Sequence, residues 1–480
     1  MSLYGHISLC DTPNLENIRQ LDLLPIPQIR RMQRAGVAVD LGHFRELSSH
    51  LESKLVELKA DVSSYIPAAA LDQFVGESGD DLDLMNVDST EQIAKLLFEL
   101  LGVGRGKRLK TTKSGARIST GKKQLEALRR DHPVIPKILE YREYSKLKGT
   151  FVDSLPRKAR LHPKGLCCPI CGLDHLEQHW RIHGTIFSTN TVAGRLSMRR
   201  PNLQQIPSRT KMGREVRKGF VAGPGKRLIA VDFSQLHLRL VAHLANEPNM
   251  ISVFQADGDI HVETARRAFG LGPDEKPDKL TQRDPTKMTN FFILNRGGAP
   301  GLLEILYMNF ALADQPAPDW LTLEWCGRFI DTWFGLYPSI SEWFDLQDYR
   351  ARRHGIVWCM FGRVRRVPEV QSVHERIVAA GLRQAGNHPL IASEAGIYKI
   401  AQARVEDRFE ILRDQGVGVE AVIPVHDELV IECDEDWAEE VCEMVGYEMS
   451  HALTDTLSGQ ELLRVPLKTE GRVTPAWQKE

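Results

Sequence analysis

Two stretches of sequence decide the fold: KRLIAVDFS at residues 226–234 and VEAVIPVHDELVIEC at residues 419–433. The first is a continuous apolar run that ends in Asp232, which is typical of a buried strand. The second has apolar runs on both sides of Asp427, which predicts a hairpin with acids at its tip. A buried carboxylate is costly unless it is paired or bound to metal. If the strands are neighbours, the two aspartates form an oxygen site for Mg²⁺; the alternative is two surface acids at strand ends.

The composition around these strands is that of a globular protein. The chain has 480 residues, 42% hydrophobic and 26% charged, with a formal net charge of −1. This length suggests about three domains. We find no apolar stretch long enough to span a bilayer and no signal peptide, so we expect a cytoplasmic protein that does not bind membranes. Eight unevenly spaced cysteines do not form a disulfide framework, and a reducing compartment fits them.

Upstream of the first strand, residues 24–156 have the spacing of apolar residues that predicts helices. Within them, residues 105–123 are strongly basic and contain no acidic residue. This segment includes Lys107, Arg108 and Lys110. It is either a solvated loop or a patch that binds phosphates.

Between the two strands, four residues recur at intervals of four: Arg283, Lys287, Phe291 and Asn295. On a helix they share one face. Two cations and an aromatic ring on one face can hold a triphosphate and stack a base. The alternative is a solvated face with one core aromatic residue.

Six segments, in order along the chain, resemble the motifs of DNA polymerase family A, the DNA polymerase I type. They are GRLSMRRPNLQQIP (194–207), VDFSQLHLRLVAHLA (231–245), GDIHVETA (258–265), RDPTKMTNFFILNRGG (283–298), RQAGNHPLIAS (383–393) and PVHDELVIE (424–432). The resemblance runs from about residue 24 to the end of the chain. Several motifs in the right order make it specific.

The resemblance implies an α+β right-hand fold, in which a palm with an antiparallel sheet carries both aspartates between a helical thumb and helical fingers. We predict an N-terminal tail (1–23), a thumb (24–156), an insertion (157–183), palm (184–245 and 383–480) and fingers (246–382). It also implies template-directed addition of deoxynucleoside triphosphates to the 3′ end of a DNA primer.

The resemblance further implies two Mg²⁺ ions, or Mn²⁺, held by Asp232, Asp427 and the Phe233 carbonyl. Lys287 is the candidate that protonates the leaving pyrophosphate. The implied nucleotide contacts are Arg209, Ser234, Gln235, His237, His261, Arg283, Lys287, Phe291 and Asn295. The implied DNA contacts are Arg195, Asn202, Gln204, Arg383, Asn387 and His426 on the primer-template path, with Lys107, Arg108 and Lys110 at the thumb tip.

Departures from the family pattern concern the sugar pocket. His237 stands where the family has a Glu that helps exclude a 2′-hydroxyl, and Asn295 stands where that Glu's Tyr partner lies. We expect His237 and Asn295 to form a substitute contact beneath the sugar; the alternative is that Phe291 alone supplies the gate. Ile391 and Pro424 replace polar residues on the minor-groove side, which predicts reduced fidelity. About 23 residues precede the thumb, too few for an exonuclease domain, so we expect no proofreading.

A cysteine cluster lies outside the family pattern, in LCCPICGLDHLEQHW at residues 166–180. Cys168 and Cys171 form a zinc-knuckle turn, and His175 and His179 are spaced to complete a Cys₂His₂ site on one helical turn. Cys167 and His183 are alternative ligands. The cluster is either a structural Zn²⁺ site or a reduced, metal-free loop.

Two other functions compete with the DNA polymerase. One is a single-subunit RNA polymerase or primer-making enzyme with relaxed sugar selectivity, which His237 leaves open. The other is an inactive DNA-binding scaffold, which the retained aspartates, Arg283 and Lys287 argue against. Expected partners include a helicase, a clamp or a separate exonuclease, in a bacterial or phage-infected cell, and compact size suggests a phage origin by analogy.

Overall fold

Residues 7–23 of the predicted N-terminal tail pack against the rest of the chain. The computed structural model describes residues 7–74, 85–107, 109–112, 115, 117–173, 175–208, 210–312, 315–455 and 459–478. Helices α1 (Leu15–Leu23) and α2 (Ile26–Ala35) lead into strand β1 (Val37–Val39). Asn17 of α1 is buried and donates to the Phe361 carbonyl at 2.9 Å. This contact ties the start of the chain to its middle.

The helices predicted for the next region are present and have a core of their own. They are α3 (Leu41–Ser63), α4 (Thr90–Ala94), α5 (Lys122–Ala127) and α6 (Val134–Leu147). Asp40 caps α3 and Ser89 caps α4 by accepting bonds from backbone N–H groups. Apolar residues between Val62 and Ile138 form a hydrophobic cluster separate from the main core. This region is therefore a distinct lobe.

Short strands follow the helical lobe. They are β2 (Arg160–His162), β3 (His179–Ile182), β4 (Thr185–Phe187) and β5 (Ser197–Arg199), and then helix α7 (Lys211–Lys218) leads to β6 (Phe220–Val221). A four-stranded sheet has the order β2-β3-β1-β6, and β4 pairs with β5. His162 and His179 are opposite each other in the β2–β3 pair. This sheet places the cysteine-containing loop between β2 and β3.

A helical lobe lies between the two sequence stretches that decided the fold. It follows β7 (Lys226–Phe233) and comprises α8 (Leu236–Leu244), α9 (Pro248–Gln255), α10 (Ile260–Phe269), α11 (Asp284–Leu294), α12 (Ala299–Leu312), α13 (Leu323–Leu336) and α14 (Pro338–His354), with β8 (Ile356–Trp358) and β9 (Val364–Arg366) after them. Part of it, including Leu302, Leu306 and Phe310, forms another small hydrophobic cluster. The described chain has no helix long and apolar enough to cross a membrane.

The last part of the chain completes the central sheet. It contains α15 (Glu375–Asp414), β10 (Val419–Val425), β11 (Glu428–Asp434), α16 (Ala438–Ser450) and β12 (Thr469–Thr474). The sheet is antiparallel with the order β10-β11-β7-β12. Its inner strands are buried on both faces, as their continuous apolar runs predicted. The predicted hairpin is confirmed, and its two strands lie beside β7.

Candidate active site

The central sheet brings the two aspartates together. Asp232 on β7 is opposite Glu428, the first residue of β11, and Asp427 lies in the turn just before it. His426 in this turn has a positive φ of 58°, so the backbone turns tightly between β10 and β11. Two acids that are about 200 residues apart in sequence therefore meet at one end of the sheet.

The electrostatics of this pair suit a divalent cation. Burial raises the pKa of Asp427 to about 7, and the charges of Asp232 and Glu394 add to this effect. Burial, with the charges of Asp427, Glu428 and Asp232, also raises the pKa of the Tyr398 hydroxyl well above its usual value. A group of half-buried carboxylates that repel each other is stabilised by hard cations with oxygen ligands. The residues at this end of the sheet therefore fit the Mg²⁺ site that the sequence predicted.

The remaining acid of the hairpin tip, Glu428, is engaged by other side chains. Its carboxylate accepts bonds from Arg472 at 2.7 Å and from the Trp477 indole at 3.0 Å. Arg217 lies 3.8 Å from the same carboxylate. Glu428 therefore holds the C-terminal segment, and the candidate cation ligands are Asp232, Asp427 and the main chain at Phe233, whose ring is buried in the core.

The predicted phosphate-binding side chains lie around α11. Lys287 and Phe291 are on this helix, whereas Arg283 and Asn295 flank its ends. The Arg283 guanidinium donates to Asp259 at 2.5 and 3.1 Å. The ring of Phe291 is 6.2 Å from that of His237 and 6.0 Å from that of His261. Three of the predicted nucleotide contacts thus share one surface.

His261 has a fixed tautomer. The Trp333 indole donates to the Asn290 carbonyl oxygen at 3.0 Å, which orients this amide so that its nitrogen donates to His261 Nδ1 at 2.9 Å. Burial lowers the pKa of His261 to about 4, so the ring is neutral at pH 7 and carries its proton on Nε2. Nε2 is buried and has no hydrogen-bond partner among the described residues. It is a donor available to a bound anion.

The sugar pocket departs from the sequence prediction. His237 Nδ1 lies 2.5 Å from the Glu394 carboxylate, and Asn295 instead accepts a bond from Asn387 at 2.9 Å. The expected contact between His237 and Asn295 is therefore wrong. The reason is that α15 carries both Asn387 and Glu394, two helical turns apart, and each pairs with a different residue.

Glu394 is the functional candidate that sequence reasoning missed. It is only 8% exposed and also accepts a bond from Arg195 at 2.5 Å. Although burial acts to raise it, the hydrogen bonds and charge interactions with His237 and Arg195 lower the pKa of Glu394. The available signal was an acid within IASEAGIY, at residues 391–398, where the other side chains are small or apolar apart from the tyrosine.

Two predicted DNA contacts, Arg383 and Asn387, line one cavity of about 360 Å³ together with the predicted nucleotide contact Asn295. Ile391 also faces it. Gln204 lies apart from it and donates to the Pro424 carbonyl at 2.8 Å. Within the cavity, the bond from Asn387 to Asn295 connects α15 to the end of α11.

The other predicted contacts are distributed around the site. The Asn202 side chain accepts a bond from the Gln204 amide and so caps the helical turn Leu203–Gln205. The Ser234 hydroxyl donates to Glu470 at 2.8 Å. Gln235 has a positive φ of 54°. Burial lowers the pKa of His426.

The predicted contacts of the basic segment lie in the N-terminal helical lobe. Lys107 pairs with Asp131 at 2.7 Å, and Lys110 lies nearby in the chain. Arg108, and Arg209 among the nucleotide contacts, are outside the described residues.

A second cluster of ligand atoms lies between β2 and β3. The side chains of His162, Cys168, Cys171 and His175 are buried, and their ligand atoms all lie within 4.8 Å of one another. Cys171 Sγ is 3.0 Å from His175 Nε2, and Cys168 Sγ is 3.6 Å from His162 Nδ1. Burial lowers the pKa of His162 to about 3 and that of His175 to about 4, so both rings are neutral. Neutral imidazoles and thiols are the ligand set of a Cys₂His₂ metal site.

The fourth ligand differs from the predicted one. His179 was expected on the same helical turn as His175, but it begins β3 instead. Its Nε2 accepts a bond from Arg181 at 3.0 Å, so this atom is engaged. His162 takes its place because the β2–β3 pairing brings it to the loop. Cys167 is exposed, and His183 Nε2 lies 2.9 Å from His162 Nε2, so neither alternative ligand joins the cluster.

Comparison with known proteins agrees with the geometry of the sheet. Residues 47–479 match the family model described as DNA polymerase family A. The thermostable DNA polymerase I of Thermus thermophilus is 33% identical over 452 residues, which are 94% of this chain and 47% of that protein. DNA polymerase I of Deinococcus radiodurans is 33% identical over 447 residues, 93% of this chain and 40% of that one. The chain spans about half the length of the curated relatives it matches.

A solved structure has a similar fold. The polymerase domain of Pol1 from M. smegmatis, in a complex with DNA primer-template and dNTP, superimposes with a TM-score of 0.76 at 26% sequence identity. The match covers 96% of this chain and 72% of that chain. The α+β right-hand fold predicted from the sequence is therefore confirmed.

Proposed function

The chain belongs to DNA polymerase family A, and we propose that it extends a DNA primer with deoxynucleotides under the direction of a template. The observation that carries this proposal is the pair of half-buried acids, Asp232 and Asp427, at the end of a central antiparallel sheet. The helix that bears Lys287 and Phe291 belongs to the lobe between their strands. Nucleotidyl transfer relies on such an arrangement of carboxylates and cations, because positioning and charge neutralisation supply most of the catalysis.

We assign the regions of the right hand accordingly. The helical lobe within residues 24–156 is the thumb, residues 246–382 are the fingers, and the central sheet belongs to the palm. The loop within residues 157–183 is an insertion between thumb and palm. This assignment places the cavity lined by Asn295 and Asn387 between fingers and palm.

Asp232, Asp427 and the Phe233 carbonyl would hold two Mg²⁺ ions, with Mn²⁺ as an alternative. Bound there, the ions supply Lewis-acid activation of the primer 3′-hydroxyl and neutralise charge on the triphosphate. Lys287 donates a proton to the leaving pyrophosphate. Arg283 and the Nε2–H of His261 donate to phosphate oxygens, with Trp333 and Asn290 holding His261 in the donor form. Phe291 packs against the incoming nucleotide.

The test of the proposed activity is primer extension on a primed DNA template with Mg²⁺. Deoxy- and ribonucleotides are supplied separately, with Asp427→Ala as the blank and Glu435→Gln, an exposed acid beyond the other end of β11, as the matched control. We expect extension with deoxynucleotides by the wild type and the control only. Extension with ribonucleotides alone would favour the RNA polymerase alternative, and no extension would favour the scaffold.

We propose that the cluster of His162, Cys168, Cys171 and His175 binds a structural Zn²⁺. Two thiols and two imidazoles within 4.8 Å of each other can form a tetrahedral site without an open position. His162 would ligate through Nδ1, because its Nε2 faces His183. Metal analysis of protein purified without chelators should find about one zinc per chain, and its absence from Cys168→Ser would identify the site.

A further inference from the structure

The loop that carries the Cys/His cluster is held together by backbone hydrogen bonds and contacts β3 through one ring. Gly165 and His175 exchange two backbone hydrogen bonds of 3.0 Å each. The Gly172 amide donates to the Cys168 carbonyl at 2.7 Å. The ring of His179 lies 4.6 Å from that of His175, edge to face. A metal ion in the cluster would therefore fix the position of His179, although His179 is not one of its ligands.

Arg181 follows His179 on the same face of β3. It is 1% exposed, and all five of its N–H donors are used. One donor goes to His179 Nε2 at 3.0 Å, and two more go to the Ala35 and Gly36 carbonyls at 2.8 and 3.0 Å. The remaining two go to the Glu432 carboxylate at 3.2 and 2.8 Å. Arg181 thus joins the cluster, the end of α2 and the central sheet.

Glu432 places this contact on the catalytic strand. It lies on β11 opposite Leu228 of β7, and Asp427 precedes the same strand. Its carboxylate is 3% exposed and accepts a further bond from the Gly223 amide at 2.8 Å. A buried ion pair is stable only when its geometry is maintained, because neither charge has an alternative partner in the interior. Movement of Arg181 is therefore transmitted to β11.

The backbone around Arg181 has little room to adjust. Gly36, which accepts one of its bonds, has a φ of 63°. A Cβ atom there would lie 2.7 Å from the Ile182 carbonyl oxygen and 2.8 Å from the His183 ring. The end of α2 and β3 are thus in direct contact. The β2–β3 strand pair therefore cannot move toward α2.

We infer that the metal-loaded Cys/His cluster positions β11 through His179 and Arg181, so that loss of this metal weakens cation binding at Asp232 and Asp427. The inference rests on the proposed polymerase and zinc sites. Glu432 and Asp427 are about 16 Å apart along this strand, at roughly 3.3 Å per residue, and the cluster lies beyond Glu432 on the far side of Arg181. Energetic coupling over such a distance requires a continuous chain of packed and hydrogen-bonded groups, which these contacts supply.

The test uses His179→Phe, which removes the acceptor of Arg181 but keeps an aromatic ring. Its matched control is Trp180→Leu, because Trp180 is the next residue and is more exposed, on the other face of the strand. Zinc content, Mn²⁺ affinity by electron paramagnetic resonance and the Mg²⁺ requirement of primer extension are measured for both. We expect both variants to keep zinc and His179→Phe alone to bind Mn²⁺ about three- to tenfold more weakly.

Metal removal provides an independent measurement on the wild type. Protein stripped of zinc should bind Mn²⁺ more weakly by a similar factor, and one equivalent of zinc should restore the affinity. This comparison decides the question if His179→Phe does not fold. Unchanged Mn²⁺ affinity in both experiments would overturn the coupling and leave the zinc site standing. A wild type without zinc would overturn the zinc site, and a wild type that binds zinc but extends no primer would overturn the proposed activity.

Discussion

The acid pair and the Cys/His cluster are two candidate metal centres of opposite construction. Asp232 and Asp427 come from distant parts of the sequence, and a central sheet holds them together. The four ligands of the cluster all lie within residues 162–175, in one loop and the strand before it. The sheet maintains its acids at an energetic cost that is visible in the raised pKa of Asp427. The folded sheet therefore holds the two aspartates in place before a cation binds. The loop of the Cys/His cluster, in contrast, is expected to depend on its metal for stability.

The largest expected effect separates chemistry from structure. Asp232→Asn should lower the single-turnover rate of primer extension by roughly 10³- to 10⁴-fold, because a ligand and a charge at the reacting centre are lost. Cys168→Ser should retain a tenth or more of the rate, since it removes no group that contacts substrate. Rapid-quench measurement on preformed complexes gives both rates. A comparable loss in both variants would show that the two centres are not distinct in function.

The second effect concerns the identity of the fourth cluster ligand. His162→Ala should weaken zinc binding by more than about 100-fold, because a ligand is lost, whereas His179→Ala should weaken it by about tenfold, as loss of a group outside the coordination sphere does. Competition with a chromophoric chelator measures both affinities. The reverse order would restore the ligand set predicted from the sequence and would contradict the hydrogen bond between His179 and Arg181.

The two centres also differ in how far the sequence could predict them. Apolar runs that end in an acid identified β7 and the β10–β11 hairpin, because buried strands have a simple pattern. The spacing of Cys168, Cys171 and His175 identified three cluster ligands. His162 could not be found from spacing, since the β2–β3 pairing that brings it to the loop is a tertiary feature. Glu394 was missed for the same reason: its partners, His237 and Arg195, are on other elements.

The third prediction concerns pH and tests the cost of building the acid pair. The pKa of Asp427 is raised from 3.8 to about 7 in the folded protein, so between these values the folded state binds a proton that the unfolded state does not. In Mg²⁺-free buffer the stability of the wild type should therefore fall as pH rises through this window. Asp427→Asn lacks this group and should be more stable than the wild type at pH 8 by about 1–3 kcal/mol, but not at pH 4.

Urea unfolding at several pH values without chelator measures this difference, and Glu435→Gln, which changes an exposed acid away from both metal centres, is the control. Its stability should change with pH in parallel with the wild type, because Asp427 is intact. Added Mg²⁺ should stabilise the wild type and not Asp427→Asn. Parallel pH profiles for all three proteins would show that the acid pair carries no such cost.

The smallest expected effect concerns the difference between Asp232 and Asp427, which are proposed to bind a metal, and Glu394, which is bonded to the His237 ring. Glu394 lies close enough to raise the pKa of Asp427, yet its oxygens are engaged by His237 and Arg195. With Nδ1 directed at Glu394, the buried Nε2 of His237 has no partner in the described structure and is available to the sugar of the nucleotide.

We expect His237→Ala to change the preference for deoxy- over ribonucleotides by about tenfold with little effect on the Mg²⁺ requirement. Glu394→Gln should change this preference in the same direction by a smaller factor, because the amide can still accept a bond from His237. Ratios of kcat/KM for the two sugars measure the preference, and Asn295→Ala is the matched control at the neighbouring pair. If His237→Ala left the preference unchanged while Asn295→Ala altered it, sugar selection would lie with the Asn295–Asn387 pair; if Glu394→Gln instead raised the Mg²⁺ requirement as strongly as loss of an aspartate, Glu394 would belong with the metal-holding acids.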